Sequence, residues 1–393
     1  MKYNFDQVIN RKNTYSTQWD FISDRFGRDD ILPFSISDTD FLVPQPVTDA
    51  LKKATDLQIF GYSRWNHDDF FNAIVNYFKN NFATNINSKW IVYSPSVMYS
   101  LSTLMAILTD PGDYVATFSP MYPDFEDAII NHQRQSLRVE LQNQDGYYTI
   151  NFKSLEQAFK QAKVFLLCSP HNPTGRVWNE DELTKIIMLA KKYDVKIIAD
   201  EIHMDIVYHK KHLPIVSFLD EYLQLYLVSS GSKTYNYPSL GGSYALIPDA
   251  KIKERFLNIT KHRDFVNSAN FMGMNALIAS YNQCHDYRQQ LVAYLENNMN
   301  IIEQFINEKC QPLHFVKPEA TYLAWIDCRQ LPVDLKTFQD VLVNYGKVGI
   351  MPGTTYFGDG YLRMCVGCSQ TKLLDGLNRL KRSLDYLKSN NYK

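Results

Sequence analysis

The stretch Leu223-Gln-Leu-Tyr-Leu-Val228 is apolar and β-forming, and it runs directly into Ser229-Ser230-Gly231-Ser232-Lys233-Thr234. The apolar half reads as a strand buried on both faces. A lysine at the end of such a strand is unusual, because burying an ammonium costs several kcal/mol unless it is neutralised or bonded. One way out is an amine nucleophile whose pKa is lowered by burial and which forms an imine with a carbonyl compound, with Ser230 and Ser232 holding an anion beside it. The other reading of a Ser-rich turn carrying a lysine is an exposed loop.

Outward from this stretch the pattern is a regular alternation. Strand-like runs are expected at Trp90–Tyr93, Tyr114–Phe118, Ser136–Val139, Val164–Cys168, Val195–Ala199, Leu223–Val228 and Gly242–Ile247. Helical periodicity is expected near 67–82, 97–108, 122–132, 154–161, 179–193 and 250–262. Short apolar strands alternating with helices predict a mostly parallel sheet covered on both faces. Residues 1–45 read as a polar, aromatic-rich arm. Pro44 and Pro46 suggest an extended connector, with Thr48 as N-cap of the next helix. Near 286 a long amphipathic helix, about 286–309, leads toward a second unit with strands Tyr322–Ile326 and Tyr361–Val366 and a last helix over 371–388. The expected division is 1–45 arm, 46–285 large domain and 286–393 small domain.

Composition bounds the function. The chain has 393 residues, 45% hydrophobic and 21% charged, with net charge −1, which suits a globular protein and offers no general attraction for nucleic acid or an anionic membrane. No apolar run approaches the roughly 18 residues needed to span a bilayer, and the N-terminus lacks the apolar core of a signal peptide. The cysteines Cys168, Cys284, Cys310, Cys328, Cys365 and Cys368 are scattered as free thiols would be, so a cytoplasmic protein is expected. The lone Cys365-Val-Gly-Cys368 pair reads as core or loop cysteines rather than a zinc or redox site. A metal site from His203, Asp205, His209 and His212 is not expected, because alternation beyond the strand end splits the four between faces.

Ligands of parallel sheets bind outside the carboxyl ends of the strands. Four such ends are distinctive: Tyr93 into Ser94-Pro-Ser96-Val97-Met98, Cys168 into Ser169-Pro-His-Asn172-Pro-Thr-Gly175, Ala199 into Asp200-Glu-Ile-His203, and Val228 into the Lys233 stretch. They would bring together a lysine, a carboxylate, an asparagine, a histidine and a helix N-terminus. Pyridoxal phosphate needs that set: an amine for the imine, a carboxylate to keep the ring nitrogen protonated, a polar group for the ring hydroxyl and free N–H groups for the phosphate. Taken singly, Asp200 also reads as a strand-end cap, Asn172 as a turn former and Tyr122 as a core aromatic.

The chain resembles the fold type I pyridoxal-phosphate enzymes, and among them the MalY/PatB-type cystathionine β-lyases (cysteine-conjugate C–S lyases). The matching motifs are Ser37-Asp-Thr-Asp40-Phe41, Phe60-Gly-Tyr62, Pro120-Met-Tyr122-Pro, Ser169-Pro-His-Asn172-Pro-Thr-Gly175-Arg176, Asp200-Glu-Ile-His203, Ser232-Lys233-Thr-Tyr-Asn236, Glu319-Ala-Thr-Tyr-Leu and Gly360-Tyr-Leu-Arg363. They run from the arm to the last segment. The resemblance implies an α/β, aminotransferase-like fold: a large domain with a seven-stranded, mostly parallel sheet and a smaller α+β domain. It implies that Lys233 carries pyridoxal 5'-phosphate and that Asp200 pairs with its ring nitrogen. Asn172 and His203 would lie near the ring hydroxyl and Tyr122 on the ring, with Val97, Met98, Ser230 and Ser232 at the phosphate. Arg363 would clamp the substrate α-carboxylate, with Asn172, Tyr122 and Asp40 also at the substrate, and Tyr62 would enter from the second subunit of a homodimer. A cis Asn172–Pro173 bond is also implied. Ser96 stands where the family usually has glycine, Gly241 where many aminotransferases have a phosphate-binding arginine, and Met364 where asparagine commonly follows the arginine. The expected reaction is α,β-elimination of S-substituted cysteines to thiol, pyruvate and ammonia. The alternatives are an aminotransferase, sharing every step up to the carbanion, and a transcriptional modulator using the fold to bind protein. Phe41, Tyr62, Trp65, Tyr122, Tyr237, Tyr356 and Phe357 are candidate pocket aromatics.

Overall fold

Alternate residues of the inner strands face opposite ways, and both ways are apolar. Val164, Leu166 and Cys168 pack into one core cluster with Ile198, Tyr226 and Val228; Phe165 and Leu167 pack into another with Ile197, Ala199, Leu225 and Leu227. Such strands have no solvent face, so they are stable only inside a sheet covered on both sides. The computed structural model, which describes residues 2–390, has that sheet at its centre. Its order is Ile91–Ser94, Ser243–Leu246, Leu225–Ser229, Lys196–Asp200, Ala162–Cys168, Tyr114–Ser119, Gln135–Glu140. Ser243–Leu246 alone opposes the others, pairing antiparallel with both neighbours. The remaining six run one way. Their carboxyl ends therefore share one edge, and Cys168, Asp200 and Val228 stand in register across it.

A second, antiparallel sheet joins Leu323–Asp327, Tyr361–Cys365 and Met351–Pro352. The N-terminal arm reaches this part of the molecule, where Leu32–Pro33 pairs parallel with Val348–Gly349. The long helix His285–Lys309 and the last helix Gln370–Ser389 bury their apolar stripes in the same cluster. Among the described residues no helix is long and apolar enough to cross a membrane.

All seven strands expected from the sequence are present, as are the two strands of the smaller sheet. The segment around the two prolines differs from its expectation. A helix spans Gln45–Asp56, with Pro44 extended just before it and Pro46 in its first turn, so Thr48 lies inside the helix and caps nothing. Proline is tolerated there because the first N–H groups of a helix lack acceptors in any case. Among the elements not anticipated are the hairpin Gln142–Gln144/Tyr147–Thr149, the helix Phe271–Gln283 and the short helix Leu335–Val341. The hairpin turns on Asp145-Gly146, both at positive φ, a pairing that favours tight hairpins. Helix Phe271–Gln283 is apolar around most of its circumference, which hides the helical period. The helix expected over 250–262 ends at Asn258 and continues to Arg263 as a π-turn.

Candidate active site

A cavity of about 500 Å³ opens at the carboxyl edge of the large sheet. Lys233, Asp200, Asn172, His203, Tyr122, Val97, Met98, Ser230, Ser232 and Arg363 all line it. They arrive on several separate pieces of local structure. Lys233 sits in the short helix Ser232–Tyr235, held where Thr234 Oγ1 donates to Asp205 Oδ2 at 2.9 Å and where Asn236 closes the turn at φ 57°. Val97 and Met98 open the helix Val97–Leu108, whose N-cap Ser96 accepts from the Tyr99 N–H at 3.1 Å. The serine at 96 thus supplies a cap that glycine lacks, while the first N–H groups of the helix have no intrahelical acceptor and suit an anion. Asn172 lies in the loop with cis bonds at Ser169–Pro170 and Asn172–Pro173, the second as expected. Beside these segments Gly242 has φ +80°, and a Cβ there would stand 2.8 Å from the backbone of Gly273, so only glycine lets the two segments approach.

Burial sets the electrostatics. Lys233 Nζ donates to the Ser37 carbonyl at 2.8 Å, and its pKa is lowered, by desolvation first, with Arg363 adding to it and Asp38 opposing. Asp200 is fully enclosed and pushed up to about 7 by desolvation, which the Ile202 N–H at 3.1 Å and Lys233 only partly offset. His203 is pushed down to about 3 by burial, then by Lys233 and Arg363, so its ring is neutral at pH 7. Arg363 donates to the Ser35 carbonyl at 2.9 Å and to Asn172 Oδ1 at 3.3 Å, and its guanidinium lies 4.1 Å from the Tyr356 ring centroid. Tyr122 donates to Asp124 Oδ2 at 2.6 Å; burial and Asp124 raise its pKa well above the usual phenol value.

Two predicted site residues lie elsewhere. Asp40 does not line the cavity: its carboxylate binds Lys372 Nζ at 2.6 Å, Arg11 Nη1 at 2.9 Å and Trp19 Nε1 at 3.0 Å. Three donors saturate it, so it joins the arm to the last helix and offers nothing to a substrate. Tyr62 is fully exposed and lines a separate surface hollow with Phe60 and Phe271. Of the candidate aromatics, Tyr122 and Tyr356 line the cavity; Phe41 and Tyr237 are core residues, Trp65 packs on Phe70 and Phe71, and Phe357 lies under Arg138. The four residues weighed as a metal cluster diverge. Asp205 holds Tyr77, Thr234 and Arg288, His212 pairs with Glu201 at 2.8 Å, His209 meets Glu296, and only His203 reaches the cavity. Ser37, Asp124 and Arg25 were missed. The Ser37 contribution is a carbonyl, which no side-chain motif announces, and Asp124 reads as an ordinary first-turn acid.

The residues present fit pyridoxal phosphate on their own evidence. His203 Nδ1 and Arg363 Nε are buried without a hydrogen-bond partner, and Asp200 is a buried carboxylate with a single backbone donor, so the cavity holds polar atoms that await a ligand. Amine, carboxylate and helix N-terminus stand on one wall-to-wall lining. Comparison with known proteins gives the same answer. The family model "Aminotransferase class I and II" matches residues 29–380. The chain is 38% identical to Protein MalY of Escherichia coli over 95% of this chain and 97% of that one. It is 34% identical to cystathionine beta-lyase PatB of Bacillus subtilis over 97% and 100% of the two chains. The crystal structure of cystalysin from Treponema denticola, which contains a pyridoxal 5'-phosphate cofactor, superposes with a TM-score of 0.93 at 30% identity, covering 98% of this chain and 100% of that one. Matched along nearly its whole length, the chain belongs to the class I and II aminotransferase family.

Proposed function

We propose that this chain is a pyridoxal-phosphate-dependent carbon–sulfur lyase that converts cystathionine or related S-substituted cysteines to thiol, pyruvate and ammonia. The observation that carries this reading is the half-buried Lys233, its amine desolvated and lowered in pKa, in one cavity with the buried Asp200 and Arg363. The relatives named for cystathionine cleavage support the choice of reaction. Lys233 is the attachment point for the cofactor, Asp200 the partner of its ring nitrogen, Asn172 and His203 the neighbours of its ring hydroxyl, and Val97, Met98, Ser230 and Ser232 the phosphate cradle. Bound there, pyridoxal phosphate supplies an electron sink for the pair left when the Cα proton is removed.

The residues divide the remaining work. Arg363 holds the substrate carboxylate, with two fixed donors already engaged and Nε free. This orients the Cα–H bond toward Lys233. The lysine amine, unprotonated more readily than an exposed lysine, takes that proton as general base. The same ammonium then protonates the departing thiolate. Tyr122 is the poorer donor, because Asp124 and burial hold its phenol proton tightly, so we assign it to ring contact and positioning. The protein tests this directly: supplied with pyridoxal phosphate, it should show the visible absorbance of the lysine-bound cofactor and release thiol and pyruvate together from cystathionine. Bleaching without thiol release would instead indicate an aminotransferase.

We further propose a homodimer in which Tyr62 completes the partner's site. Its support is the exposed apolar set Leu57, Ile59, Phe60, Tyr62 and Phe265. The three-part division at 45 and 285 is supported by the separate antiparallel sheet and by the arm strand paired beside it. Six buried free cysteines suit a reducing compartment, and we place the enzyme in the cytoplasm.

A further inference from the structure

Two charged side chains of the cavity lie outside the chemistry at Lys233. Arg25, in the short helix Ser23–Phe26, is exposed, donates only to the Thr17 carbonyl at 3.2 Å and takes part in no ion pair among the described residues. Asp124, in the first turn of Pro123–Asn131, accepts from Tyr122 through Oδ2 alone and likewise has no cationic partner. Both line the same cavity as Lys233 and the buried Arg363. The Tyr356 phenol, raised by burial and lowered by Arg363, is further raised by Asp124 and lowered by Arg25. Tyr356 lines the same cavity, and the Arg363 guanidinium lies 4.1 Å from its ring centroid.

A substrate whose α-carboxylate is seated on Arg363 must send its S-substituent elsewhere in the cavity. An exposed cation and a half-buried carboxylate in one cavity lining are a pair of opposite signs, neither of them in an ion pair among the described residues. An alkyl or aryl substituent would gain nothing from them and would leave Asp124 partly desolvated. A substituent ending in an ammonium and a carboxylate would satisfy both. Resting on the lyase reading, we propose that Arg25 and Asp124 form a distal subsite selecting S-substituents that end in an amino-acid group, with the carboxylate on Arg25 and the ammonium on Asp124. The outer group remains on the thiol product, so the subsite changes no bond and acts on recognition alone.

The test compares L-cystathionine with S-ethyl-L-cysteine, whose substituent carries no charge, in the cofactor-loaded wild type and in Arg25→Gln and Arg25→Lys. The measured quantity is the ratio of kcat/KM for the two substrates, from pyruvate release. Arg25→Gln should lower the cystathionine preference at least tenfold, mainly through KM, and Arg25→Lys should restore part of it. A ratio equal to that of the wild type in Arg25→Gln, whether both substrates slow together or neither does, overturns the subsite while leaving the lyase reading standing. A wild type that releases pyruvate from neither substrate removes the lyase reading and the subsite with it.

Discussion

Lys233 and Asp200 are a base and an acid whose burial moves both away from their ordinary titration ranges, in opposite directions on the pH scale. Replacing Lys233 by alanine should abolish both turnover and the visible absorbance of the bound cofactor, measured after incubation with pyridoxal phosphate; either one surviving would exclude its role. Asp200 makes a pH prediction for the cofactor-free protein. Its folded pKa of about 7 lies above the ordinary 3.8, so the folded state keeps a proton that the unfolded state releases. Stability from this group is full below pH 3.8 and is lost as pH rises through 7. The ceiling is about 4 kcal/mol, at about 1.4 kcal/mol per pKa unit. Thermal unfolding of cofactor-free wild type and Asp200→Asn should therefore diverge between pH 4 and 7, with the wild type losing ground. His203 contributes the opposite trend below its ordinary 6.5, and taking the difference between the two proteins cancels it. Arg363→Lys should raise KM by about tenfold to a hundredfold, since a point charge cannot reproduce the planar set of donors.

At the scale of elements, the arm and the last helix are joined through Asp40. Burial alone would raise its carboxyl, but Lys372, Trp19 and Arg11 outweigh burial and hold it below the usual value. Asp40→Asn leaves two cations around a neutral amide, and breaking such a buried cluster typically costs about 3 kcal/mol. The expected result is a marked fall in denaturation midpoint with little change in KM. A raised KM at unchanged stability would return Asp40 to the substrate side. The helix Glu180–Tyr193 offers a control far from chemistry. Asn179 and Glu182 form a reciprocal capping box, so Asn179→Ala should cost about 1 kcal/mol without altering turnover.

For the molecule as a whole, the proposed dimer has a consequence that a monomer does not share. Tyr62 is exposed in one chain, yet we assign it to the site of another. Coexpressed Lys233→Ala and Tyr62→Ala chains would form mixed dimers. One site would lack both groups, and the other would have the lysine of one chain and the tyrosine of its partner. Activity should then exceed the sum of the two separately purified variants. Absence of any gain in mixed dimers isolated by differential tagging would rule out a shared site.

What the chain sequence determined by itself was whatever depends on local pattern. The runs ending at Ser94, Cys168, Asp200 and Ser229 carry consecutive apolar residues before their last position, which a doubly covered sheet accommodates, and their termini pointed to one edge. Lys233, Asp200, Asn172 and His203 were legible because they follow such strands directly. The helix after the two prolines was expected but its start was placed too late, because a proline in a first turn costs far less than a proline in a helix interior. Tertiary structure alone decided the rest. Asp40 and Arg25 lie 15 residues apart in the same arm, and nothing in their neighbourhood says that one is saturated by Lys372 while the other faces the cavity. The carbonyl of Ser37 beside Lys233 likewise depends on a contact between segments far apart in the chain. Periodicity specifies which face of an element is buried; which charge ends up beside which is set by how those faces meet.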